Sequence, residues 1–465
     1  MRLAVYASFL TALAVGACSV PRPSNIAQDE VTASRIGLPS SLPPMKSFGS
    51  TQITRPSRPN STIAGDFLDL SFQLESGRTL PVLTRFEGPV TLRVTGEPPP
   101  YMQADLSRLL ARLRIEGGIN ITQVPEATPA SITLQIITKR QLQRLVPHAA
   151  CFVAPKVSSW QEYRAARGTE RLDWTKLHTR TRMAVFLPGD ASPQELRDCL
   201  HEEVAQALGP VNDLYRLHDS VFNDDNFHTV LTGFDMLILR AYYAPELASG
   251  MSRNDVAARL PAILARLNPR GGSGAPRTGE HAPQAWKDAI ETALGAGYSN
   301  GHRRQAATSA VAIARQMGWR DTRLAFSLFA YGRLHIRQNS KNAFSAFREA
   351  EAIYRSHPET ALHAAHLGVQ LAAYALSAGR TKTAIAIVNT HIQPVMRAEN
   401  AALLATLLMI KAEALDLSGR SAEAQLVRLD SLGWARYGFG SNEQVGARLG
   451  DIAAIAPGHS KQGRP

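Results

Sequence analysis

Residues 201–243 read HEEVAQALGPVNDLYRLHDSVFNDDNFHTVLTGFDMLILRAYY, and this stretch decides the fold. Its first part continues a helix that is expected to begin upstream. There Ser192 can act as the N-cap, Pro193 suits the first helical position and Glu195 can complete a capping box. Gly209 is expected to end the helix, because glycine is favoured just beyond a helix C-terminus. The pattern therefore predicts one well-bounded helix followed by a turn.

Two polar residues share one face of this helix. Glu202 and Gln206 are four residues apart, which places their side chains one turn apart on the same side. Together with Glu203, Gly209 and Asn212 they form the spacing E-E-x-x-Q-x-x-G-x-x-N. This spacing resembles the metzincin zinc-protease pattern H-E-x-x-H-x-x-G-x-x-H, in which a glycine turns the chain so that a third ligand meets two from the helix. The resemblance places Glu202, Gln206 and Asn212 at the three metal-ligand positions.

The sequence downstream continues the resemblance. The turn at residues 220–223 is similar to the one beneath the metzincin zinc, with Phe222 where a metzincin has methionine. Thr232 and Asp235 can form a capping box at the start of a further helix. An uncharacterised family of bacterial lipoproteins is similar throughout this block, over about residues 66–270. The resemblance implies a zincin-like α+β domain and assigns no reaction to it.

The residues at the ligand positions are unusual for zinc. Zinc prefers imidazole and thiolate ligands, so the carboxylate of Glu202 and the amides of Gln206 and Asn212 form a poor set. Glu203 stands at the general-base position, but a carboxylate activates water usefully only where a metal or another electrophile lowers the water's pKa. We therefore expect an inactive, metal-free protease-like domain with no cofactor. The alternative is a divergent metallopeptidase that binds zinc through these ligands and uses Glu203 as the general base.

Three histidines lie near the ligand positions. His201 precedes the first of them and points about 100° around the helix from Glu202, so it could replace that ligand only after a shift of register. His218 and His228 follow the helix. All three are expected to form hydrogen bonds rather than to bind a metal. The nearby acidic residues are Asp213, Asp219, Asp224 and Asp225.

The N-terminus has the pattern of a bacterial lipoprotein. An apolar run from Leu3 to Val15 leads into the lipobox Val15-Gly16-Ala17-Cys18. Because the run is too short to span a bilayer, residues 1–18 are predicted to be a signal peptide and Cys18 the lipidated residue. By resemblance to bacterial lipoproteins, Ser19 favours the outer membrane. The protein is thus expected in the cell envelope, anchored to the membrane through Cys18 and facing the periplasm.

Two further cysteines are expected in an oxidising compartment. Cys151 and Cys199 are predicted to form a disulfide that supports the central helix, and two separately buried thiols are the alternative. Cys199 and His201 are two positions apart and do not face each other on a helix, so a Cys-His nucleophile pair is not expected.

The charge of the chain limits the classes of partner. It has 51 Lys and Arg against 39 Asp and Glu, a net charge of +12. Such a charge favours anionic membrane surfaces, or simply solubility. No basic run with interleaved aromatic residues accompanies it, so nucleic acid is not expected as a partner.

Alternating apolar residues predict two strands, at residues 90–94 and 132–136, and a short apolar run predicts a third at residues 183–187. Leucines at helical spacing over residues 106–113 predict a helix after the first strand. With the helix that follows Ser192, the order becomes strand, helix, strand, strand, helix. This order is typical of a zincin-like α+β sheet.

Composition divides the chain into segments. Residues 19–65 are rich in Pro, Ser, Thr and Asn and are predicted to be a disordered tether. The stretch GGSGAPRTGEHAP, residues 271–283, is the clearest linker. It separates a zincin-like domain at 66–270 from an all-helical domain at 284–440, and residues 441–465 are expected to be a C-terminal tail.

The helical domain contains a weak internal repeat. Ala343, Ala384 and Ala424 occupy equivalent places, 41 and then 40 residues apart, and Gly379 and Gly419 mark the turns of the second and third units. The pattern resembles a short tetratricopeptide-type solenoid. The resemblance implies a groove for a protein or peptide partner. A helical domain that only packs against the first domain is the alternative.

Overall fold

Helices and one small sheet make up the computed structural model. It describes residues 42–49, 51, 53–147, 149–272, 282–295 and 297–457. The predicted signal peptide, the predicted lipidation site Cys18 and much of the predicted tether lie outside the described residues. Most of the predicted linker at 271–283 lies outside them too.

The first part of the chain, residues 53–272 as described, contains a five-stranded mixed sheet. Its strands are β1 (Val90–Thr95), β2 (Ile121–Gln123), β3 (Ile132–Ile137), β4 (Phe152–Pro155) and β5 (Met183–Pro188). Its helices are α1 (Asn60–Phe72), α2 (Met102–Ile115), α3 (Lys139–Leu145), α4 (Trp160–Ala166), α5 (Pro193–Leu208), α6 (Gly233–Tyr242) and α7 (Arg253–Leu267). The strand order is β2-β1-β3-β5-β4, and only β4 runs antiparallel to its neighbour.

The three strands with clear patterns in the sequence are present as β1, β3 and β5. Every residue of β5 is buried, which suits a continuous apolar run in a strand covered on both faces. The sequence patterns did not reveal β2 or β4, because strands of three and four residues are too short to show alternation. The fold class is thus a small mixed sheet with helices around it.

Helix α5 is the central helix of this part. It packs against β5, β4 and α2, and its apolar side is fully buried, comprising Leu196, Cys199, Leu200, Val204 and Leu208. The Ser192 hydroxyl caps the helix by accepting a hydrogen bond from the Glu195 N–H at 3.2 Å. The Glu195 carboxylate pairs instead with Lys139 Nζ at 2.9 Å, so only half of the predicted capping box forms.

Gly209 allows close packing in addition to ending α5. A Cβ atom at this position would lie 2.9 Å from the ring of Tyr242 in α6. Glycine therefore lets α6 approach the end of the central helix closely. The predicted capping box between Thr232 and Asp235 is confirmed at the start of α6.

The described residues after the linker are nearly all helical. The helices are α8 (Gln284–Leu294), α9 (Asn300–Gln316), α10 (Thr322–His335), α11 (Ser340–Arg355), α12 (Ala361–Ser377), α13 (Thr381–Arg397), α14 (Ala401–Leu417), α15 (Ser421–Phe439) and α16 (Asn442–Ala453). Consecutive helices pack in pairs, as expected for helical hairpins. We call residues 284–457 the helical region.

The repeat seen in the sequence corresponds to equivalent positions in the second helices of three pairs. Ala343, Ala384 and Ala424 lie in α11, α13 and α15, and each is fully buried. Small residues at these positions let the paired helices approach closely. Gly379 and Gly419 adopt φ values of 68° and 78° in the intervening turns, where a side chain would be strained. The region is therefore helical and repeat-like.

Helix α15 extends to Phe439, and two glycines in its last part allow close packing. A Cβ at Gly433 would lie 2.9 Å from the side chain of Lys46, and a Cβ at Gly438 would lie 2.5 Å from Cα of Ala402. Small size, rather than helix breaking, explains these glycines.

Two predicted flexible segments are partly ordered. The proposed tail at 441–465 contains α16, which buries Val445 and Leu449 against the helical region. The proposed tether at 19–65 includes Phe48, whose ring stacks on Trp434 at 4.6 Å, and the start of α1. These segments contain too few apolar residues to show a helical or strand period. The apolar residues named here are nevertheless buried in the fold. Across the described residues, none of the helices combines the length and apolar character needed to cross a bilayer.

Candidate functional site

The end of α5 and the loop after it carry the residues at the metzincin-like positions. Glu203 and Gln206 are buried, with 5% and 8% exposure, and Glu202 is half-buried. Asn212 is also buried, but its amide nitrogen donates to the backbone oxygen of Asp69 in α1 at 3.0 Å. The third ligand position is therefore tied to α1 through its nitrogen, while its Oδ1 is buried without a hydrogen-bond partner among the described residues.

The residues present do not fit a zinc ion. Among the described residues, no group of three or more His, Cys, Asp and Glu side chains is arranged to hold a metal. Gln206 and Asn212 contribute neutral amides, which are weak ligands for zinc. We therefore derive no chemical step through a metal at this position.

An acidic cluster surrounds Glu202 instead. We call it the acidic site, and its members are Glu75, Glu202, Glu203, Asp213 and Asp224. Glu75 follows α1. Glu202 and Glu203 belong to α5, and Asp213 and Asp224 belong to the loop between α5 and α6. The sequence patterns did not identify Glu75. Its partners in the acidic site lie far from it along the chain, and no local pattern indicates the contact.

Burial and mutual repulsion raise the pKa values of the acidic site. Burial, with the charge of Asp224, raises the pKa of Glu75 to about 8 and that of Glu202 to about 7. Burial also raises the pKa of Asp224 to about 6, although the charge of Lys287 opposes this shift. Carboxyl groups with such values are partly protonated near neutral pH.

Glu203 and Asp213 are the most strongly shifted members. Burial, followed by the charges of Glu202 and Glu75, holds the pKa of Glu203 well above its usual range. Burial does the same for the pKa of Asp213, which also shares a hydrogen bond with Glu75. This hydrogen bond raises the pKa of Asp213 and lowers that of Glu75. Glu203 Oε2 and Asp213 Oδ1 are buried without a hydrogen-bond partner among the described residues.

The raised pKa limits what Glu203 can do. A general base must be ionised at the working pH in order to accept a proton from water. Burial of Glu203 disfavours that ionisation. A backbone hydrogen bond from Val153 in β4 acts in the opposite direction on its pKa, but less strongly than burial. The geometry thus favours a structural role for this carboxyl group.

The helical region borders the acidic site. Lys287 of α8 is close enough to oppose the pKa shifts of Glu75 and Asp224. Tyr215, in the loop after α5, packs edge to face on Trp286 of α8 with ring centroids 4.8 Å apart. A lysine of the helical region therefore offsets part of the negative charge of the acidic site.

The N-terminal half of α5 also contacts the helical region. Gln194 donates to the Asn400 side chain at 3.1 Å and accepts from the backbone of Ala402 at 2.9 Å. Arg197 Nη1 contacts Glu399 Oε2 at 3.0 Å, and this ion pair is almost fully buried. Residues of α5 thus help to cap α14, because Asn400 is the N-cap of that helix.

The three histidines form hydrogen bonds or polar contacts. Nδ1 of His201 accepts from the backbone of Leu231 at 3.1 Å, and burial holds the pKa of His201 well below its usual range. His228 Nε2 lies 3.0 Å from the backbone oxygen of His218. His218 Nε2 lies 3.5 Å from a carboxylate oxygen of Glu359. These contacts hold the loop between α5 and α6.

A buried aspartate fixes the turn beneath the site. Asp235 is fully buried and accepts hydrogen bonds from the backbone of Val221 at 3.2 Å and of Thr232 at 2.7 Å. It also accepts one from the hydroxyl of Ser220. Phe222, at the position of the metzincin methionine, is completely buried. The capping box of α6 therefore also orders the turn.

Two further contacts stabilise α5. The sulfurs of Cys151 and Cys199 are bonded, with Cα atoms 6.0 Å apart, so the start of β4 is joined to the central helix. Arg180, which is 3% exposed, donates to the backbone oxygens of Gln206 and Gly209 at the end of α5. An arginine here satisfies carbonyl groups that a helix end leaves free. No sequence pattern marks Arg180 for this role.

Comparison with known proteins assigns part of the chain to a family. No curated protein and no solved structure matches the chain. A family model described as "Protein of unknown function (DUF2927)" matches residues 60–262, from the start of α1 into α7. The match includes the sheet, the central helix and every member of the acidic site. Residues 60–262 of this chain are therefore a DUF2927 domain.

Proposed function

We propose that the protein is a non-catalytic lipoprotein of the cell envelope, in which an inactive protease-like domain supports a helical region that binds a protein or peptide. The observation that carries the proposal is the state of the acidic site. Burial holds the pKa of its general-base candidate, Glu203, well above the usual range, and the amide nitrogen of Asn212 donates to α1. A carboxyl group whose ionisation is disfavoured in this way is a poor general base.

A degenerate zincin-like origin for the DUF2927 domain is part of the proposal. It rests on the spacing of Glu202, Gln206, Gly209 and Asn212, and on the order of strands and helices around α5. The buried turn at Phe222 adds to it. None of these features requires a metal, because caps, glycine packing and Asp235 maintain them.

We propose that the face of the DUF2927 domain that carries α5 and the acidic site holds the helical region in place. Lys287 faces the acidic site, and Arg197 of α5 is paired with Glu399. Buried ion pairs fix a specific arrangement when both partners are present, because separating them leaves an uncompensated charge. A partner would therefore meet a helical region of fixed orientation.

Membrane attachment through Cys18 is proposed from the lipobox, and the outer membrane is favoured by Ser19. Attachment at one end would leave the helical region free to bind in the periplasm. Fractionation of cells that express the protein with Cys18→Ala tests this part independently of the rest.

A divergent metallopeptidase is the second candidate. The unpartnered oxygens of Glu203 and Asp213 favour it, since they could serve as ligands for a hard cation. Metal analysis of the purified protein, together with a proteolysis assay on the wild type and Glu203→Gln, separates the two functions. The proposed function predicts no activity in either protein. A protease activity lost in Glu203→Gln would overturn it.

A further inference from the structure

Four histidines meet where the DUF2927 domain contacts the helical region. We call His218, His228, His363 and His366 the histidine cluster. The first two belong to the loop between α5 and α6, and the other two belong to α12. The rings of His228 and His363 have centroids 6.0 Å apart, and Nε2 of His363 lies 2.9 Å from Oδ2 of Asp225. The cluster therefore spans the contact between the two parts.

An aromatic residue of the DUF2927 domain packs within the cluster. Phe227 stacks on His366 at 4.2 Å and meets His363 edge to face at 4.9 Å. It also contacts Phe326 and Phe329 of α10. Phe227 is 6% exposed, so this contact excludes water from the cluster. Solvation of the histidines thus requires the helical region to move away.

Burial disfavours positive charge on His218, His228 and His366, although the carboxylate of Asp225 acts against this at His228. His366 is 9% exposed, and its Nε2 has no hydrogen-bond partner in the described part of the chain. Burial lowers the pKa of His366 to about 3, that of His228 to about 4 and that of His218 to about 3. The charged and titratable groups that face the cluster are Asp225, Glu359, Arg58, Arg333, His357 and Tyr354.

We propose that protonation of the histidine cluster weakens the contact between the helical region and the DUF2927 domain, so that mild acid loosens the two parts from each other. The inference does not depend on the proposed function, because it concerns this contact and not what the helices bind. A partner that needs the separated arrangement would then bind better in acid.

The direction of the effect follows from proton linkage. A solvated histidine has a pKa of about 6.5, so the separated state takes up protons below that pH while the closed state does not. The histidine contribution to the contact is therefore complete above pH 6.5 and is lost as the pH falls below it. Each histidine with a lowered pKa weakens the contact by about tenfold per pH unit in that range.

The acidic site acts in the opposite direction. Its carboxyl groups have raised pKa values, so their contribution is complete below their ordinary pKa of about 4 and is lost as the pH rises to the raised values of about 6 to 8. Glu291 of α8, with a pKa raised by burial to about 7, belongs with them. The histidine contribution must therefore be measured as a difference between matched proteins.

The test compares the purified wild type with His366→Phe between pH 7.5 and 5. Phenylalanine keeps the stack on Phe227 and removes a nitrogen that has no partner among the described residues. The readout is hydrogen exchange of α12 amides, corrected for the pH dependence of intrinsic exchange, with β5 amides as an internal reference for global unfolding. The control is His335→Phe, because His335 stacks on Tyr331 of its own helix at 4.0 Å.

The expected result is equal protection of α12 at pH 7.5 and a growing advantage for His366→Phe below pH 6.5. The difference should reach about 30-fold at pH 5, while β5 stays protected in every protein. His335→Phe should follow the wild type. Asp225→Asn, which removes the carboxylate facing His228 and His363, should make α12 more sensitive to acid. Identical profiles for the wild type and His366→Phe, or an equal gain in His335→Phe, would overturn the inference.

Discussion

Replacing Arg197 by methionine should weaken the contact between α5 and the helical region. The guanidinium is 3% exposed and contacts Glu399 through Oε2 at 3.0 Å and through the backbone oxygen. Its centre lies 5.3 Å from the ring of Phe48 and 5.2 Å from that of Tyr437. Methionine can keep apolar contact with both rings, so the main loss is the positive charge beside Glu399.

The magnitude follows from the burial of the pair. Removing one partner of a buried ion pair leaves an uncompensated charge and typically costs about 3–5 kcal/mol of unfolding free energy. Glu399 fits this case, because its side chain is 9% exposed and its Oε1 has no other partner among the described residues. The double variant Arg197→Met with Glu399→Gln removes both charges and should recover most of the loss.

The assay is equilibrium unfolding in urea, followed by circular dichroism and by tryptophan fluorescence. Trp434 stacks on Phe48 beside the ion pair, so fluorescence should report loosening of this contact. The control is Arg420→Met, which breaks an exposed ion pair with Glu423 and should leave stability unchanged. If Arg197→Met loses no more than the control, or the double variant is less stable than the single one, the buried pair does not hold the two parts together.

Three further predictions concern the central helix and the anchor. Arg180→Met should lower the unfolding free energy by about 2–5 kcal/mol, measured by urea unfolding, because two buried carbonyl groups at the end of α5 lose their donor. Glu202→Gln should flatten the loss of stability between about pH 4.5 and 7, measured by thermal unfolding, because the pKa of Glu202 is raised from 4.5 to about 7 and the unfolded chain releases this proton first as the pH rises. Cys18→Ala should release the protein from membranes in cell fractionation, and unchanged sedimentation with the membranes would contradict the lipid anchor.

The sequence alone predicts the elements whose signals are local. The cap at Ser192, the capping box of Thr232 and Asp235, and the patterns of β1, β3 and β5 all depend on residues within a few positions of one another. The helical repeat could be predicted for a similar reason, since Ala343 and Ala384 recur at a fixed spacing. Local sequence chemistry is enough to locate such elements.

The remaining features depend on contacts between distant residues. Glu75 and Arg180 reach the end of α5 from other segments, and no pattern around either residue marks that contact. Gly438 in α15 is required by the close approach of Ala402, which the sequence around it does not show. Likewise, the spacing of Asn212 matches a ligand position, while its amide is bound by α1. The roles of these residues depend on packing between distant segments, which a short window of sequence does not show.

Zinc analysis of the purified protein after extensive dialysis tests most directly whether the protease-like site is inactive. We expect well under one equivalent of zinc, because the ligand positions carry a carboxyl group and two amides and the nearby charge is supplied by Lys287. One equivalent that survives dialysis and is lost in Glu202→Gln would contradict this expectation and would favour the metallopeptidase.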